Sequence, residues 1–176
     1  MEIQDNLSVY QASVKEIPVI QSLSEQTFPA TYHNIITPEQ NDYMMDMMYS
    51  TASLTKQMEK DHHTYLIAYL DGNPVGYVSV QPVDDKEDGL DVVELQKIYV
   101  LPNLQGKHIG QFLFDAAVKY IRKIHPAPCM MELHVNRNNK ALGFYERQGM
   151  RKLRQGDYPI GHDFFMNDYI MGKELR

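Results

Sequence analysis

The sequence predicts an α/β fold in which helices flank a mixed, mostly antiparallel central sheet. The first observation behind this prediction is the order of the elements, which runs β, two or three helices, βββ, α, β, α, ββ. The second is the presence of hairpins, which join antiparallel strands. The third is a strand, helix, strand succession over residues 92–135, which favours a right-handed crossover. With 176 residues, 43% of them hydrophobic, the chain suits one domain over residues 1–176.

The N-terminal third contains one predicted strand and a group of helices. Apolar and polar residues alternate over Leu7–Ala12, which indicates a strand. Ser13 begins a capping box and predicts a helix that runs to about Phe28. Two further helices are predicted to begin at Thr37 and Ser53. The methionines and tyrosines of this region either pack against the sheet or line a groove for a flexible substrate.

A hairpin follows these helices. Its arms, Thr64–Leu70 and Pro74–Gln81, are rich in β-branched and aromatic residues, and Asp71-Gly72-Asn73 forms its turn. The next segment, Pro82–Gly89, is predicted to be an acidic loop. Its carboxylates either attract a polyamine or are simply solvated.

The centre of the chain is a strand, a short connection and a long amphipathic helix. Residues 92–100 mix β-branched and aromatic side chains, and Leu101-Pro102-Asn103 ends this strand. The spacing of apolar residues by three and four predicts a helix from Gly106 to Ile124. The residues of its apolar face are Ile109, Phe112, Leu113, Ala116, Ala117, Tyr120, Ile121 and Ile124.

Four shorter elements complete the prediction. Pro126-Ala127-Pro128 ends the long helix, and the apolar run Cys129–Val135 is a predicted strand. A short amphipathic helix follows, and Gly149 ends it. The last two strands are predicted over Met150–Arg154 and Phe164–Leu175.

Charge and composition exclude several classes of function. The net charge of −6 argues against nucleic acid or an anionic membrane as the main partner, because both favour a basic face. The same charge either favours a cationic substrate or only keeps the protein soluble. Cys129 is the single cysteine, so no internal disulfide forms, and its apolar context is that of a buried small residue.

Localisation and metal binding are constrained in the same way. The N-terminus is acidic and lacks an apolar core, so no signal peptide is expected, and no run reaches the length of a membrane span. The expected compartment is a reducing cytoplasm. No metal is expected, because adjacent His62 and His63 point in different directions and no ligand spacing such as HExxH occurs.

The strand-to-helix junction before Gln111 is a candidate anion site. The first amides of a helix have no internal partners and lie at the positive end of the helix dipole, so they suit an anion. Gly106 and Gly110 allow a ligand to approach the backbone closely. The junction is therefore either a pyrophosphate cradle or an ordinary connection. Its glycine spacing matches neither the dinucleotide fingerprint nor the P-loop.

Two segments resemble the GCN5-related N-acetyltransferase (GNAT) family, and the order of elements extends the resemblance over nearly the whole chain. The sequence QGKHIG at 105–110 is similar to the acetyl-coenzyme A signature of Gln or Arg, two residues, Gly, any residue, and Gly or Ala. The sequence NNKALGFYERQG at 138–149 resembles the pattern NxxAxxFYxxxG. His108 stands where the family usually has glycine. Within the family, SEQTFPATY, the acidic segment and DYIMGKEL are most similar to PaiA-like polyamine acetyltransferases.

The resemblance implies a GNAT-like fold whose strands splay at a site for acetyl-coenzyme A, with no metal. Main-chain groups of Ile98, Tyr99 and Val100 are expected to bind the pantetheine. The pyrophosphate is expected to lie on a run of main-chain amides. The residues of this run are Gln105, Gly106, Lys107, His108, Ile109, Gly110 and Gln111. Asn138 and Tyr145 are expected to contact the coenzyme as well.

The resemblance also implies acetyl transfer to a primary amine of a small substrate, such as a polyamine, by direct attack in a ternary complex. A protonated amine must lose a proton before it attacks a thioester, so a base is needed. Glu94 aligns with a catalytic glutamate of some members and is either this base, acting through water, or a strand carboxylate turned to solvent. Tyr145 resembles the general acid that protonates the leaving thiolate.

Two points stay open at this level. The alternative to an enzyme is a coenzyme A-binding sensor or regulatory protein with little turnover, which the departure at His108 leaves open. The amine acceptor is not determined, because one architecture hosts many acceptors. The oligomeric state cannot be read from the sequence, and a homodimer is an expectation at the family level.

Overall fold

A seven-stranded sheet forms the centre of the computed structural model, which describes residues 6–104 and 106–176. The strands are β1 (Leu7–Gln11), β2 (Thr64–Leu70), β3 (Asn73–Glu87), β4 (Leu90–Val100), β5 (Cys129–Asn136), β6 (Arg151–Gly161) and β7 (Phe164–Leu175). They lie in the order β1-β2-β3-β4-β5-β7-β6. Every neighbouring pair is antiparallel except β4 and β5, which are parallel. The predicted mixed, mostly antiparallel sheet is confirmed.

Helices cover both faces of the sheet. They are α1 (Ile17–Tyr32), α2 (Pro38–Tyr49), α3 (Thr51–Glu59), α4 (Ile109–Ile124) and α5 (Leu142–Arg147). The capping box at Ser13 is present, but it opens a short 3-10 turn, so α1 begins at Ile17. In the described part of the chain, no helix is both long enough and apolar enough to cross a membrane.

Alternation along the strands builds two hydrophobic cores. On one side, which we call the α1 face, Tyr65 and Tyr77 pack with residues of α1, α2 and α3 such as Phe28. On the other side, the α4 face, Leu66 and Val78 pack against α4 and α5. Each strand residue can therefore be assigned to a face from its neighbours, and this assignment decides which side chains meet at the site.

The predicted acidic loop over Pro82–Gly89 is wrong. Strand β3 continues to Glu87 and pairs with β4, where Lys86 faces Asp91 and Glu87 faces Leu90. The turn is confined to Asp88 and Gly89, whose φ values of 52° and 80° are both positive. An Asp-Gly pair adopts this conformation readily and matches the twist of a hairpin, so the acidic composition conceals a strand.

Other predicted boundaries also differ from the structure, because α1 continues to Tyr32 and α3 begins at Thr51. Strand β6 runs to Gly161 instead of ending at Arg154, because it pairs with β7 as far as Phe164. Helix α4 begins at Ile109 instead of Gly106, since Gly106 and His108 have positive φ values of 85° and 64°. Residues in the left-handed region cannot belong to a right-handed helix.

Candidate active site

The parallel pairing of β4 with β5 stops in the middle of the sheet. Asp91–Glu94 pair with Cys129–Glu132, and beyond this register the two strands continue apart while β5 stays paired with β7. The predicted splay is therefore present. A cavity of about 280 Å³ opens between the strands, and we call it the β4–β5 cleft. Its lining residues are Glu94, Leu95, Gln96, Leu133 and His134.

A β-bulge accompanies the divergence. Ser79 and Val80 are consecutive in β3, yet their partners in β4 are Lys97 and Leu95, so Gln96 is an extra residue. Bulges bend a strand and re-aim its side chains, and they are common beside active sites. The bulge explains how Leu95 and Ile98 both reach the core on the α4 face, although they are three residues apart.

The N-terminus of α4 presents main-chain amides that no side chain caps. His108 is the N-cap residue, it makes no side-chain capping bond, and its carbonyl accepts the first helical hydrogen bond from the amide of Phe112 at 3.1 Å. The preceding amides of Ile109, Gly110 and Gln111 have no partner within the helix by geometry. Gln105, which the sequence places in the same cradle, lies outside the described residues.

The conformation of His108 explains the departure from the family pattern. Its φ of 64° lies in the left-handed region, where glycine has no steric cost and histidine is uncommon but tolerated. The side chains of Lys107 and His108 are exposed beside the helix N-terminus. A histidine here therefore keeps the backbone path that glycine usually provides.

Helix α5 lies against the beginning of α4. Phe144 packs edge-on against Phe114 with ring centroids 6.2 Å apart, and a Cβ atom added to Gly110 would lie 3.7 Å from Phe144 Cζ. Ahead of α5, the amide of Asn138 donates to Asn136 Oδ1 at 2.9 Å, and the side chain of Asn138 is exposed. The two motifs, far apart in sequence, are thus brought side by side.

Tyr145 is buried where α5 approaches the sheet. The residue is 8% exposed, and burial raises the pKa of its phenol, as does the charge that Tyr32 would carry when ionised. The pKa of Tyr99 on β4 is raised mainly by burial, then by the charges of Tyr32 and Tyr49, and least by the charge of Tyr145. The phenol of Tyr145 therefore stays protonated at neutral pH, as a proton donor must. The side chain of Tyr99 packs towards Phe28 on the α1 face, so only its main chain borders the splayed edge.

Glu94 stands at the point where the strands separate. Its side chain is 19% exposed and lines the cleft. Burial raises the pKa of its carboxyl group, a hydrogen bond from Gln96 lowers it, and the negative charge of Asp85 raises it further. Glu94 Oε1 lies 3.7 Å from Nε2 of His134. The carboxylate is thus held inside the cleft and is not a strand side chain turned freely to solvent.

His134 and Asp168 belong to the same group, although neither is apparent from the motifs. Nδ1 of His134 lies 3.8 Å from Asp168 Oδ2, so the imidazole stands between two carboxylates. Burial and the positive charge of Arg154 lower the pKa of His134. At neutral pH the ring is uncharged, so neither contact is an ion pair. One feature of the sequence could have revealed His134. Glu132 and His134 alternate with apolar residues in a strand that the composition predicts to be apolar, and this alternation indicates that one face of the strand is polar.

A buried lysine, Lys97, lies on the α1 face among residues of β2, α2 and α3. Lys97 is 9% exposed, and its Nζ donates to the hydroxyl of Tyr65 at 2.6 Å and to Gln57 Oε1 at 3.0 Å. Burial lowers its pKa to about 7. Within residues 6–104 and 106–176, no cluster of three or more His, Cys, Asp or Glu side chains is arranged to hold a metal ion.

Together these features can support one kind of chemistry. The cleft holds a carboxylate and a neutral imidazole that can accept protons, and the protonated phenol of Tyr145 is buried where α5 packs on the sheet. The uncapped helix end can bind a phosphate-bearing group. The arrangement therefore suits proton transfer at a reacting group carried by a phosphorylated carrier.

Comparison with known proteins agrees with this chemistry. The model of the Acetyltransferase (GNAT) family matches residues 21–150. An uncharacterized N-acetyltransferase of Mycobacterium bovis is 27% identical over 162 residues, which cover 88% of this chain and 94% of that protein. The spermidine N(1)-acetyltransferase of Thermoplasma acidophilum is 22% identical over 165 residues, which cover 92% of this chain and 96% of that protein.

A solved structure shares the fold. The crystal structure of the PaiA N-acetyltransferase from Thermoplasma acidophilum in complex with coenzyme A has a TM-score of 0.77 and 20% sequence identity, and the match covers 96% of this chain and 99% of that one. The family model spans well over half of the chain, and it includes both motifs that carry the resemblance. The chain therefore belongs to the GNAT family of acetyltransferases, which take their acetyl group from acetyl-coenzyme A.

Proposed function

We propose that this acetyltransferase transfers the acetyl group from acetyl-coenzyme A to a primary amine of a small cationic substrate, with a polyamine as the first candidate. The observation that carries the proposal is that two features adjoin the part of β4 that has left β5. They are the β4–β5 cleft, lined by Glu94, and the uncapped N-terminus of α4, where a Cβ atom on Gly110 would lie 4.0 Å from Val100 Cγ2. The cleft can hold the amine and the N-terminus of α4 can hold the coenzyme. Transfer by direct attack in a ternary complex therefore needs no acetylated protein side chain.

The described residues fit the coenzyme. The main chain of Ile98 to Val100 belongs to the part of β4 that has left the β5 register, which supports binding of the extended pantetheine along this edge. The amides from Gly106 to Gln111 surround the uncapped helix end, and this supports a pyrophosphate site. The exposed side chains of Lys107, His108 and Asn138 border it. When bound, acetyl-coenzyme A supplies the activated acyl group.

Glu94 is the proposed base. The substrate ammonium gives up a proton to Glu94 through a water molecule, and the neutral amine attacks the thioester carbonyl carbon. The raised pKa of Glu94 makes its carboxylate a stronger base than an exposed glutamate. A main-chain amide of β4 stabilises the oxyanion that develops on the carbonyl oxygen.

Tyr145 is the proposed acid. When the tetrahedral intermediate collapses and its C–S bond breaks, the departing sulfur takes the phenolic proton of Tyr145. The excess proton on the newly bonded nitrogen passes to the phenolate, which leaves the neutral amide and restores Tyr145. Burial raises the pKa of this phenol, so it carries its proton at neutral pH when the C–S bond breaks. The position of α5 against the start of α4 supports the assignment, because it brings Tyr145 close to the cradle.

The acidic surroundings of the cleft support a polyamine acceptor. The carboxylates on or beside the α1 face near the cleft belong to Asp85, Glu87, Glu94, Glu132 and Asp168, and two of them, Glu87 and Glu132, are already paired with Arg154. Such a group attracts a polycation and holds it through charge-assisted hydrogen bonds. A relative that is 22% identical bears the name spermidine N(1)-acetyltransferase, which points the same way.

Two measurements on the purified chain test the proposal. Coenzyme A and acetyl-coenzyme A should both raise the melting temperature, and acetyl-coenzyme A should release free thiol when spermidine or spermine is added. Thiol release with other amines but with neither polyamine would refute the polyamine acceptor alone. Stabilisation by coenzyme A without thiol release from any amine would refute the enzyme and support a coenzyme-binding sensor. Light scattering tests whether the protein is the homodimer expected at the family level.

A further inference from the structure

Asp168 on β7 is a buried carboxylate with an unpaired oxygen. The residue is 6% exposed, and among residues 6–104 and 106–176 its Oδ1 has no hydrogen-bond partner. Burial raises the pKa of the carboxyl group to about 6, although the positive charge of Arg137 lowers it. An unpaired polar atom in such a place destabilises the folded chain, so its presence calls for a functional reason.

The carboxylate of Asp168 lies beside His134, one of the residues that line the β4–β5 cleft. Asp168 pairs with Asn136 across the sheet and therefore shares the α1 face with His134, two residues earlier in β5. Its Oδ2 lies 3.8 Å from Nδ1 of His134, which lines the cleft. The charge of Asp168 also raises the pKa of Tyr32 at the end of α1, although burial has the largest effect on that phenol. Asp168 is thus close enough to act electrostatically on the end of α1 as well as on the cleft.

The nearby groups do not neutralise Asp168 by contact. The ring of His134 is uncharged at neutral pH, and Arg137 directs its Nη2 to Asp157 and to the carbonyl of Gly156. The other deeply buried carboxylate of this region, Glu132, also has an unpaired oxygen, Oε2, but Arg154 Nη2 lies 3.5 Å from its Oε1 and supplies a positive charge. Asp168 therefore remains a negative charge for which a ligand can supply the cation.

We infer that Asp168 binds the second ammonium group of a substrate that carries two amino groups, the one that is not acetylated. The inference rests on the proposed function and names the residue that selects the acceptor. An ammonium group donates three hydrogen bonds and satisfies both the charge and the free lone pairs of a buried carboxylate. The ring of His134 separates Asp168 from Glu94, so one end of a short diamine reaches each carboxylate.

The test compares 1,4-diaminobutane with 1-aminopentane, in which a methyl group replaces one ammonium. Asp168→Asn keeps the side-chain shape and removes the charge. We expect kcat/KM for the diamine to fall 10- to 100-fold, the range expected for loss of one buried charge-assisted contact, mostly through a higher KM. The value for the monoamine should not change. Asp115→Asn, on the exposed face of α4, removes an equal charge and should change neither value.

A second readout separates substrate binding from a structural role. Because ionised Asp168 is unfavourable in the folded state, Asp168→Asn should raise the melting temperature of the free protein at pH 7.5. The same variant should lose the additional rise that the diamine produces when coenzyme A is present. Equal losses with both amines, or an unchanged response to the diamine, would overturn the inference. If the wild type acetylates no amine, the proposed function fails, and the diamine-induced rise still decides the role of Asp168.

Discussion

Replacing Lys97 with methionine tests the electrostatics of the α1 face. The ammonium of Lys97 is buried among Tyr49, Tyr65 and Gln57, and the Lys97→Met variant keeps the length and apolar stem of the side chain without the charge. The hydroxyl of Tyr65 still donates to Gln57 Oε1 at 2.6 Å in the variant, so the substitution leaves no buried donor unpaired. The change in stability should therefore report the cost of burying the charge.

The size of the effect follows from the pKa. Burial lowers the pKa of Lys97 from 10.5 to about 7, so between these pH values the unfolded chain binds one proton more than the folded chain at this residue. The free energy of unfolding then rises with pH, by about 1.4 kcal/mol per pH unit once Lys97 is neutral in the folded state. Below pH 7 both states carry the proton, and the folded chain bears the full cost. That cost is on the order of 5 kcal/mol.

Urea unfolding at pH 7, 8 and 9 measures this linkage. The variant should be more stable than the wild type at pH 7, and its advantage should shrink by about 2 to 3 kcal/mol by pH 9. Lys119→Met on the exposed face of α4 is the matched control, and its stability should follow the wild type. A constant difference between Lys97→Met and the wild type across this range would show that Lys97 stays charged in the folded protein, and it would refute the reasoning.

Substitutions at three further positions, Tyr145, Glu94 and His108, test the site. Tyr145→Phe should lower turnover by about 10²- to 10⁴-fold, as for loss of a general acid, without changing the thermal shift caused by coenzyme A. The control Tyr10→Phe, on the exposed edge of β1, should change neither turnover nor the thermal shift. Unchanged turnover in Tyr145→Phe would contradict the assignment. Glu94→Gln should lower kcat by about 10²-fold or more with little effect on coenzyme binding, and wild-type rates would remove it as the base. His108→Gly should keep the free energy of unfolding within about 1 kcal/mol of the wild type and retain coenzyme A binding. His108→Val should lower both the free energy of unfolding and the affinity for coenzyme A, because a β-branched residue does not tolerate a φ of 64°. Equal behaviour of the two variants would contradict this account of the loop.

Local patterns predict much of the fold. Strand β2 and strand β7 have the bounds that their β-branched and aromatic content indicates, and the apolar spacing of α4 identifies its buried face. The acidic end of β3 was missed because charge suggests a loop, while cross-strand pairing and the Asp88-Gly89 turn decide the structure. Local chemistry thus identifies elements well where the buried pattern is strong.

The site was predictable only in part. The two motifs indicate the α4 cradle and Tyr145, and the resemblance indicates Glu94. The pairing of His134 with Asp168 depends on the insertion of β7 between β5 and β6, which is a property of the sheet order and leaves no local signal. The left-handed conformation of His108 could not be predicted either, because the apolar spacing typical of a helix begins directly after this residue.

Initial-rate kinetics with two varied substrates test the central claim most directly. The proposed direct attack requires acetyl-coenzyme A and spermidine to be bound at the same time, so double-reciprocal plots of thiol release should give intersecting lines, with acetylated spermidine as the second product. Parallel lines would indicate an acetylated enzyme intermediate and contradict attack in a ternary complex. Absence of thiol release with every amine, despite stabilisation by coenzyme A, would contradict the enzymatic function altogether.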